Sequence, residues 1–246
     1  DVPVVKMDHI SQWKEKLDVL LLCGGSATDL PAMTPALAKD FNVIDSFDTH
    51  AKIPEHFANC DKTAKDGGKI AFISVGFETT VPTIAATLMM NPPENFSVLV
   101  SHRLVPPAME WLMAQGEASL DGFILPGHVC AVMGYHEYEQ FKVPQVVAGF
   151  EPEDVLLGLL MLAEQIENGE AKVENAYPRV VTREGNVKAQ RLMHEVFTPA
   201  DVEWRGFPVI PKSGLMLKPE FEQFDAQKKF DLVFKKVTKK AGCICD

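Results

Sequence analysis

No apolar run in the sequence approaches the roughly 18 to 20 residues that a helix needs to cross a bilayer, so no membrane contact is expected. Basic residues are also few: 24 Lys and Arg stand against 34 Asp and Glu, a formal charge of -10. A broad nucleic-acid surface needs the opposite sign to displace phosphate counterions, and an acidic cytoplasmic protein is expected instead. The five cysteines are odd in number and follow no secretory leader, which argues against a disulfide framework. Cys23 and Cys60 lie in apolar or helical patterns and are expected to be buried thiols. Cys243-Ile-Cys245 offers two thiolates, short of the four ligands that zinc or an iron-sulfur cluster takes. The G-x-G-x-x-G, G-x-x-x-x-G-K-[ST], G-x-S-x-G and H-E-x-x-H motifs are all missing, which removes a standard phosphate loop, nucleophile elbow or zincin helix. With neither initiator Met nor leader, the chain is expected to be a fragment.

What is present is a rhythm. Short Val, Ile and Leu runs at 4–7, 19–23, 43–47, 69–75, 96–100, 121–125 and 143–149 alternate with amphipathic stretches such as MTPALAKDF, VPTIAATLMM and PEDVLLGLLMLAEQIENG. Continuous rather than alternating apolar strands, joined by helices, predict a parallel sheet covered on both faces, a doubly wound, Rossmann-like α/β fold. After Gly169 the alternation stops and turn residues multiply, which places a boundary near residue 170 and an irregular α+β segment beyond it.

In such sheets ligands bind outside the carboxyl ends of the strands. Four successive strand ends are polar: Gly76-Phe77-Glu78-Thr79-Thr80, Ser101-His102-Arg103, Pro126-Gly127-His128 and Phe150-Glu151-Pro152-Glu153-Asp154. One sheet edge would gather Glu78, Thr79, Thr80, His102, Arg103, His128 and Glu151, a set suited to anion binding, metal ligation or proton transfer. The competing reading is structural: Glu78, Thr79 and Thr80 cap the helix that starts near Val81, and each His or Arg is an internal hydrogen-bond partner. Gly24-Gly25-Ser26, after the second strand, reads equally as a tight turn and as a turn that approaches a ribose or phosphate.

Two family resemblances attach to these residues. From about Lys69 onward, GFETTVP, SHRLVPPAMEWLM, DGFILPGHV, VPQVVAGFEPEDVLLGLLML, WRGFPVIPKSGL and GCIC resemble HypD, the maturation protein that helps assemble the iron-dicyano-carbonyl unit of nickel-iron hydrogenases. The resemblance implies that Glu78, Thr79, Thr80, His102, Arg103 and His128 are signature site residues. It also implies that Cys243 and Cys245 open a 4Fe-4S cluster motif, and that a HypC-like chaperone and HypE- and HypF-type proteins are partners. The HypD CGGH and GPGCPVC motifs are absent; the nearest string is Cys23-Gly24-Gly25-Ser26. Residues 1 to 75, with LLLCGGSATDLPAMTPALA and VIDSFDTH, instead resemble the nucleotide-binding domain of meso-diaminopimelate dehydrogenase. That likeness implies NADP as cofactor and Gly25, Ser26, Asp45 and Asp48 as its contacts. The expected organisation is a dehydrogenase-like half at 1–75, a HypD-like lobe at 76–170 and a HypD-like C-terminal segment at 171–246.

Overall fold

The computed structural model describes residues 7–17, 19–45, 47, 49, 52–63, 70–116 and 120–232. The run expected at 4–7 falls almost wholly outside these residues, as do Asp48, Cys243 and Cys245. The other six expected strands are present as β1 (Leu20–Leu22), β2 (Val43–Asp45), β3 (Ile70–Gly76), β4 (Phe96–His102), β5 (Phe123–Pro126) and β6 (Gln145–Ala148). β7 (Val173–Asn175) follows, and β8 (Phe197–Glu203) and β9 (Val209–Leu217) form a hairpin.

The fold is mixed α/β, and its strands are divided. Among the described residues, hydrogen bonding joins β1 to β2, β3 to β4, and β5, β6 and β7 in order, all parallel, while β8 and β9 pair antiparallel. The continuous doubly wound sheet expected from the rhythm is thus replaced by three small parallel sheets. Helices α1 (Leu30–Ala38), α2 (Ile53–Thr63), α3 (Val81–Met89), α4 (Val105–Ala114), α5 (Gly127–Met133) and α6 (Pro152–Asn168) follow strands β1 to β6 in turn. α7 (Val187–Val196) is capped by Asn186, whose side chain accepts from the Ala189 N–H, and a single turn, α8 (Ala226–Lys229), comes after the hairpin.

Two apolar cores result. The first unites Leu22, Leu30, Phe47 and Ile53 with Phe72, Val81 and Ile84, and then with Val196, Phe197 and Leu217 from the C-terminal segment. Residues before and after Gly76 therefore bury their side chains together. The second core, with Leu125, Cys130, Tyr138 and Val147, belongs to β5, β6 and α5. Gln145, itself fully buried, donates from its side-chain nitrogen to the Tyr138 and Phe141 carbonyls and ties the 3-10 turn at His136–Gln140 to β6.

Two glycines are required by close approach. Gly76 has φ +152, and a Cβ there would lie 2.4 Å from Thr80 Oγ1; one at Gly127 would lie 2.3 Å from the Ala148 carbonyl oxygen. Gly169 ends α6 in the left-handed conformation, at the place where the sequence rhythm changes.

Truncating the buried Leu125 (1% exposed) to Ala is expected to destabilise the protein by about 2–5 kcal/mol in urea unfolding. The same change at Leu160 (57% exposed) is expected to fall within about 0.5 kcal/mol of wild type. Equal losses at the two positions would contradict the core assignment.

Candidate functional site

β3 and β4 run in register, with Gly76 opposite His102, so their two polar turns lie side by side. The Arg103 N–H donates to the Gly76 carbonyl at 2.9 Å, which locks the turns together. Glu78 is fully buried on the first turn. Its Oε1 accepts the Val105 N–H at 2.7 Å, and Val105 is the first residue of α4. The residue before it, Leu104, supplies no side-chain cap. A carboxylate from the neighbouring strand end thus takes one of the orphan donors at the α4 N-terminus. The capping reading of this turn is correct in kind but assigned the wrong helix. Thr80, directly before α3, makes no side-chain cap bond there, and Thr79 and Thr80 are both half-buried.

Burial pushes the Glu78 carboxyl up to about 7, against the pull of hydrogen bonds from its own N–H and that of Val105, with Glu137 adding repulsion. Oε2 is buried without a hydrogen-bond partner, which leaves the ionised form less stabilised and acts in the same direction as burial. The same charge reaches the second core. Burial, and then Glu78, push the Cys130 thiol up to about 12, and Tyr138 is raised by burial, Cys130 and Glu78. Cys130 is a fully buried thiol held in its unreactive form.

His102 is also fully buried. Its Nε2 and Ser74 Oγ share a hydrogen bond of 2.6 Å, and its ring meets Phe197 edge-on at 5.5 Å. Burial, reinforced by Arg103, lowers its pKa to about 4, so the imidazole is neutral, and Nδ1 is left without a partner. Arg103 is half-buried and donates to the carbonyls of His102 and Glu203 at 3.1 and 2.8 Å, fastening β4 to β8. Its backbone also bridges Gly214 of β9. His128 differs from both: it is exposed on the first turn of α5, its ring 4.1 Å from that of Phe150. Glu151 is exposed at the start of α6. The structure therefore brings Glu78, Thr79, Thr80, His102 and Arg103 together on β3–β4 and places His128 with Phe150 and Glu151 on β5–β6.

The second proposed cluster sits on β1–β2. Gly25 lies in the turn before α1, its N–H donating to Asp29 Oδ2 at 2.9 Å. Ser26 Oγ accepts the Thr49 N–H at 3.0 Å and lies 2.9 Å from Thr49 Oγ1. Asp45 Oδ2 pairs with His56 Nε2 at 2.7 Å, both side chains nearly buried, and the His56 ring stacks on Phe47 at 4.0 Å. Burial raises the Asp45 carboxyl, but its hydrogen bond and attraction to His56 outweigh that and hold it below the usual range. Ser26, Phe47, Thr49, Lys52, Glu55 and His56 line a cavity of about 170 Å³. The sequence pattern does not single out His56 or Thr49; His56 comes 11 residues after Asp45, inside α2, and only the fold brings it to the strand end. Cys60 is buried as expected, whereas Cys23 at the end of β1 is exposed, because the strand stops one residue earlier than its apolar run.

Among the described residues no three His, Cys, Asp or Glu side chains gather as a metal site, and no helix is long and apolar enough to cross a membrane. Cys243 and Cys245 lie outside the described residues, so the cluster ligands implied by the resemblance have no geometry here.

The buried pair Glu78 and His102 gives a pH signature of two opposite slopes. Glu78, raised from 4.5 to about 7, binds a proton more tightly when folded, so its contribution is full below pH 4.5 and is lost as pH rises through 7. His102, lowered from 6.5 to about 4, contributes fully above pH 6.5 and loses that contribution as pH falls toward 4. Glu78→Gln is expected to leave unfolding stability rising with pH between 4.5 and 6.5, and His102→Gln to leave it falling between 4.5 and 7. Urea midpoints across this range give each sign, and the same sign in both variants would refute the assignment.

The chain matches the hydrogenase formation hypA family, HypD, over residues 2–246. A putative hydrogenase expression/formation protein of Methanocaldococcus jannaschii is 46% identical over 185 residues, 72% of this chain and 51% of that protein. Hydrogenase maturation factor HypD2 of Bradyrhizobium diazoefficiens is 32% identical over 262 aligned positions, 99% of this chain and 68% of that protein. The chain spans about half the length of most of the curated relatives it matches. A crystal structure of a mutant meso-dapdh from Clostridium tetani is 43% identical over 29% of this chain and 21% of its own, at a TM-score of 0.25, too slight a likeness to bear on fold or function. The family match takes in the dehydrogenase-like residues as well as those after Gly76, and the chain belongs to the HypD family of hydrogenase formation proteins.

Proposed function

We propose that this chain serves nickel-iron hydrogenase maturation as a HypD-type scaffold, handling the Fe(CN)2CO unit as cargo rather than as a resident cofactor. The observation that carries the reading, beside family membership, is Glu78: a fully buried carboxyl at a strand end, poised near neutral pH, holding the start of α4. A carboxyl with a pKa near 7 changes protonation state within the physiological range, the property expected of a group that takes part in acid-base chemistry at a strand end. Of the two candidate imidazoles His128 is the exposed one, and Thr79 and Thr80 present the half-buried hydroxyls next to Glu78. His102 and Arg103 act as positioning residues: one fixes β4 to β3 through Ser74, the other fixes β4 to the β8–β9 hairpin.

The proposal extends to a HypC-like chaperone and HypE- and HypF-type proteins as partners in the cytoplasm, and to a 4Fe-4S cluster in which Cys243 and Cys245 supply two thiolates. It also treats 76–170 as the working lobe. It does not require Gly76 to be a fusion point, since residues on both sides share one core. The alternative, an NADP-dependent dehydrogenase fragment using Gly25, Ser26, Asp45 and Asp48, is not favoured, because the family match includes those residues.

The test is complementation of a maturation-deficient host, read as hydrogenase activity, alongside pull-down on a HypC-like chaperone. Glu78→Gln and His128→Ala are each expected to lower maturation by at least about tenfold, the usual effect of removing a proton-transfer or ligating group, with folding retained. Failure of the parent chain both to complement and to bind the chaperone would overturn the reading, and full activity in both variants would remove the assigned site.

A further inference from the structure

α6 is apolar on both sides. One side carries Gly158 against Ala148 and Ile124, and Gln165, whose side chain donates to the Gln145 carbonyl, so that side is packed on β5 and β6. At about 3.6 residues per turn, Leu156, Leu160, Ala163 and Glu167 wheel onto the opposite side, Val155, Leu159 and Ile166 lie along one flank, and Glu153, Leu157 and Glu164 lie along the other. The opposite side and its apolar flank face solvent: Leu156 is 66% exposed, Leu160 57% and Leu159 50%. A helix of a globular domain normally turns charged residues outward, and one that is apolar all round is normally covered.

The rim of the stripe shows what covers it. Between Pro152 and Asn168 there is no Lys, Arg or His, and the exposed charges are Glu153 at one end and Glu164 and Glu167 at the other. Asp154 is spoken for, buried and paired with Arg179 at 2.5 Å. A second copy of this helix fits badly, since antiparallel docking about Leu159 sets Glu153 of one copy beside Glu164 and Glu167 of the other with no cation between them. The geometry points to a protein partner that presents an amphipathic helix, its Leu-type stripe flanked by Lys or Arg, laid along α6. Apolar burial gives such a contact its strength, and the acidic rim selects the partner and sets its register. The inference stands on the helix alone, whether or not the maturation reading holds.

The probes are two labelled 18-residue helical peptides with the same Leu stripe, one flanked by Lys and one by Glu, titrated into the full chain and followed by fluorescence anisotropy. The Lys-flanked peptide is expected to bind at least about tenfold more tightly, with affinity that falls as salt rises. Leu156→Glu/Leu160→Glu is expected to weaken it by about tenfold or more at an unchanged melting temperature, both positions being exposed. Glu164→Lys/Glu167→Lys, which leaves the stripe intact, is expected to abolish the preference for the Lys-flanked peptide. Equal binding of the two peptides, or none, would overturn the proposal. So would a dimer in sedimentation velocity that Leu156→Glu/Leu160→Glu dissolves, or binding to phosphatidylcholine vesicles in place of the Lys-flanked peptide.

Discussion

A single hydrogen bond, from the Val105 N–H to the buried carboxyl of Glu78, joins the pieces on which the candidate site's turns depend; it ties the end of β3 to the start of α4. A helix N-terminus inside a protein must find acceptors for its free N–H groups, and the Leu-Val-Pro-Pro start of α4 provides none of its own. Glu78 supplies one from 27 residues upstream. Placing a carboxyl there costs desolvation, and the balance between that cost and the helix end leaves the group near neutrality. When ionised, Glu78 adds to the effect of burial in raising Cys130 and Tyr138, so the strand-end acid is felt in the second core.

Around that bond the other polar groups divide by task. Ser74 and His102 stitch β3 to β4 from within, and the neutral imidazole suits a position with no exposed surface. Arg103 spends its donors on backbone carbonyls, which anchors the β8–β9 hairpin over the strand end. Trp204 completes that cover, its indole N–H donating to Ser213 Oγ while its ring lies 6.0 Å from that of Phe77. Of the two candidate imidazoles, His102 is buried and His128 is exposed. The candidate site thus combines a sealed acid, its backbone supports and an accessible imidazole.

Much of this was legible in the sequence because parallel strands write themselves as continuous apolar runs, and β3 to β6 lie within a residue or two of where those runs predicted. The polar strand ends were legible for the same reason. The direction of each side chain was not. Glu78 reads as a cap for the next helix in sequence and serves α4 instead, 27 residues on, a choice made by the pairing of β3 with β4. His102 reads as a cleft residue, but register with β3 turns it onto Ser74. Asp45 and His56 meet only because α2 folds back over β2, and no local pattern encodes their 2.7 Å contact. Among the described residues the parallel strands fall into several small sheets, because periodicity reports which strands are buried and is silent on which neighbours they pair with.

The most direct measurement of the central claim is a titration of the Glu78 carboxyl carbon itself, by NMR of the 13C-labelled chain with Glu78→Gln to assign the signal. A midpoint near 7 is predicted, with the Val105 amide shifting at the same midpoint in the parent chain and showing no such step in the variant. A midpoint at the ordinary glutamate value of 4.5, with the Val105 amide undisturbed, would contradict it.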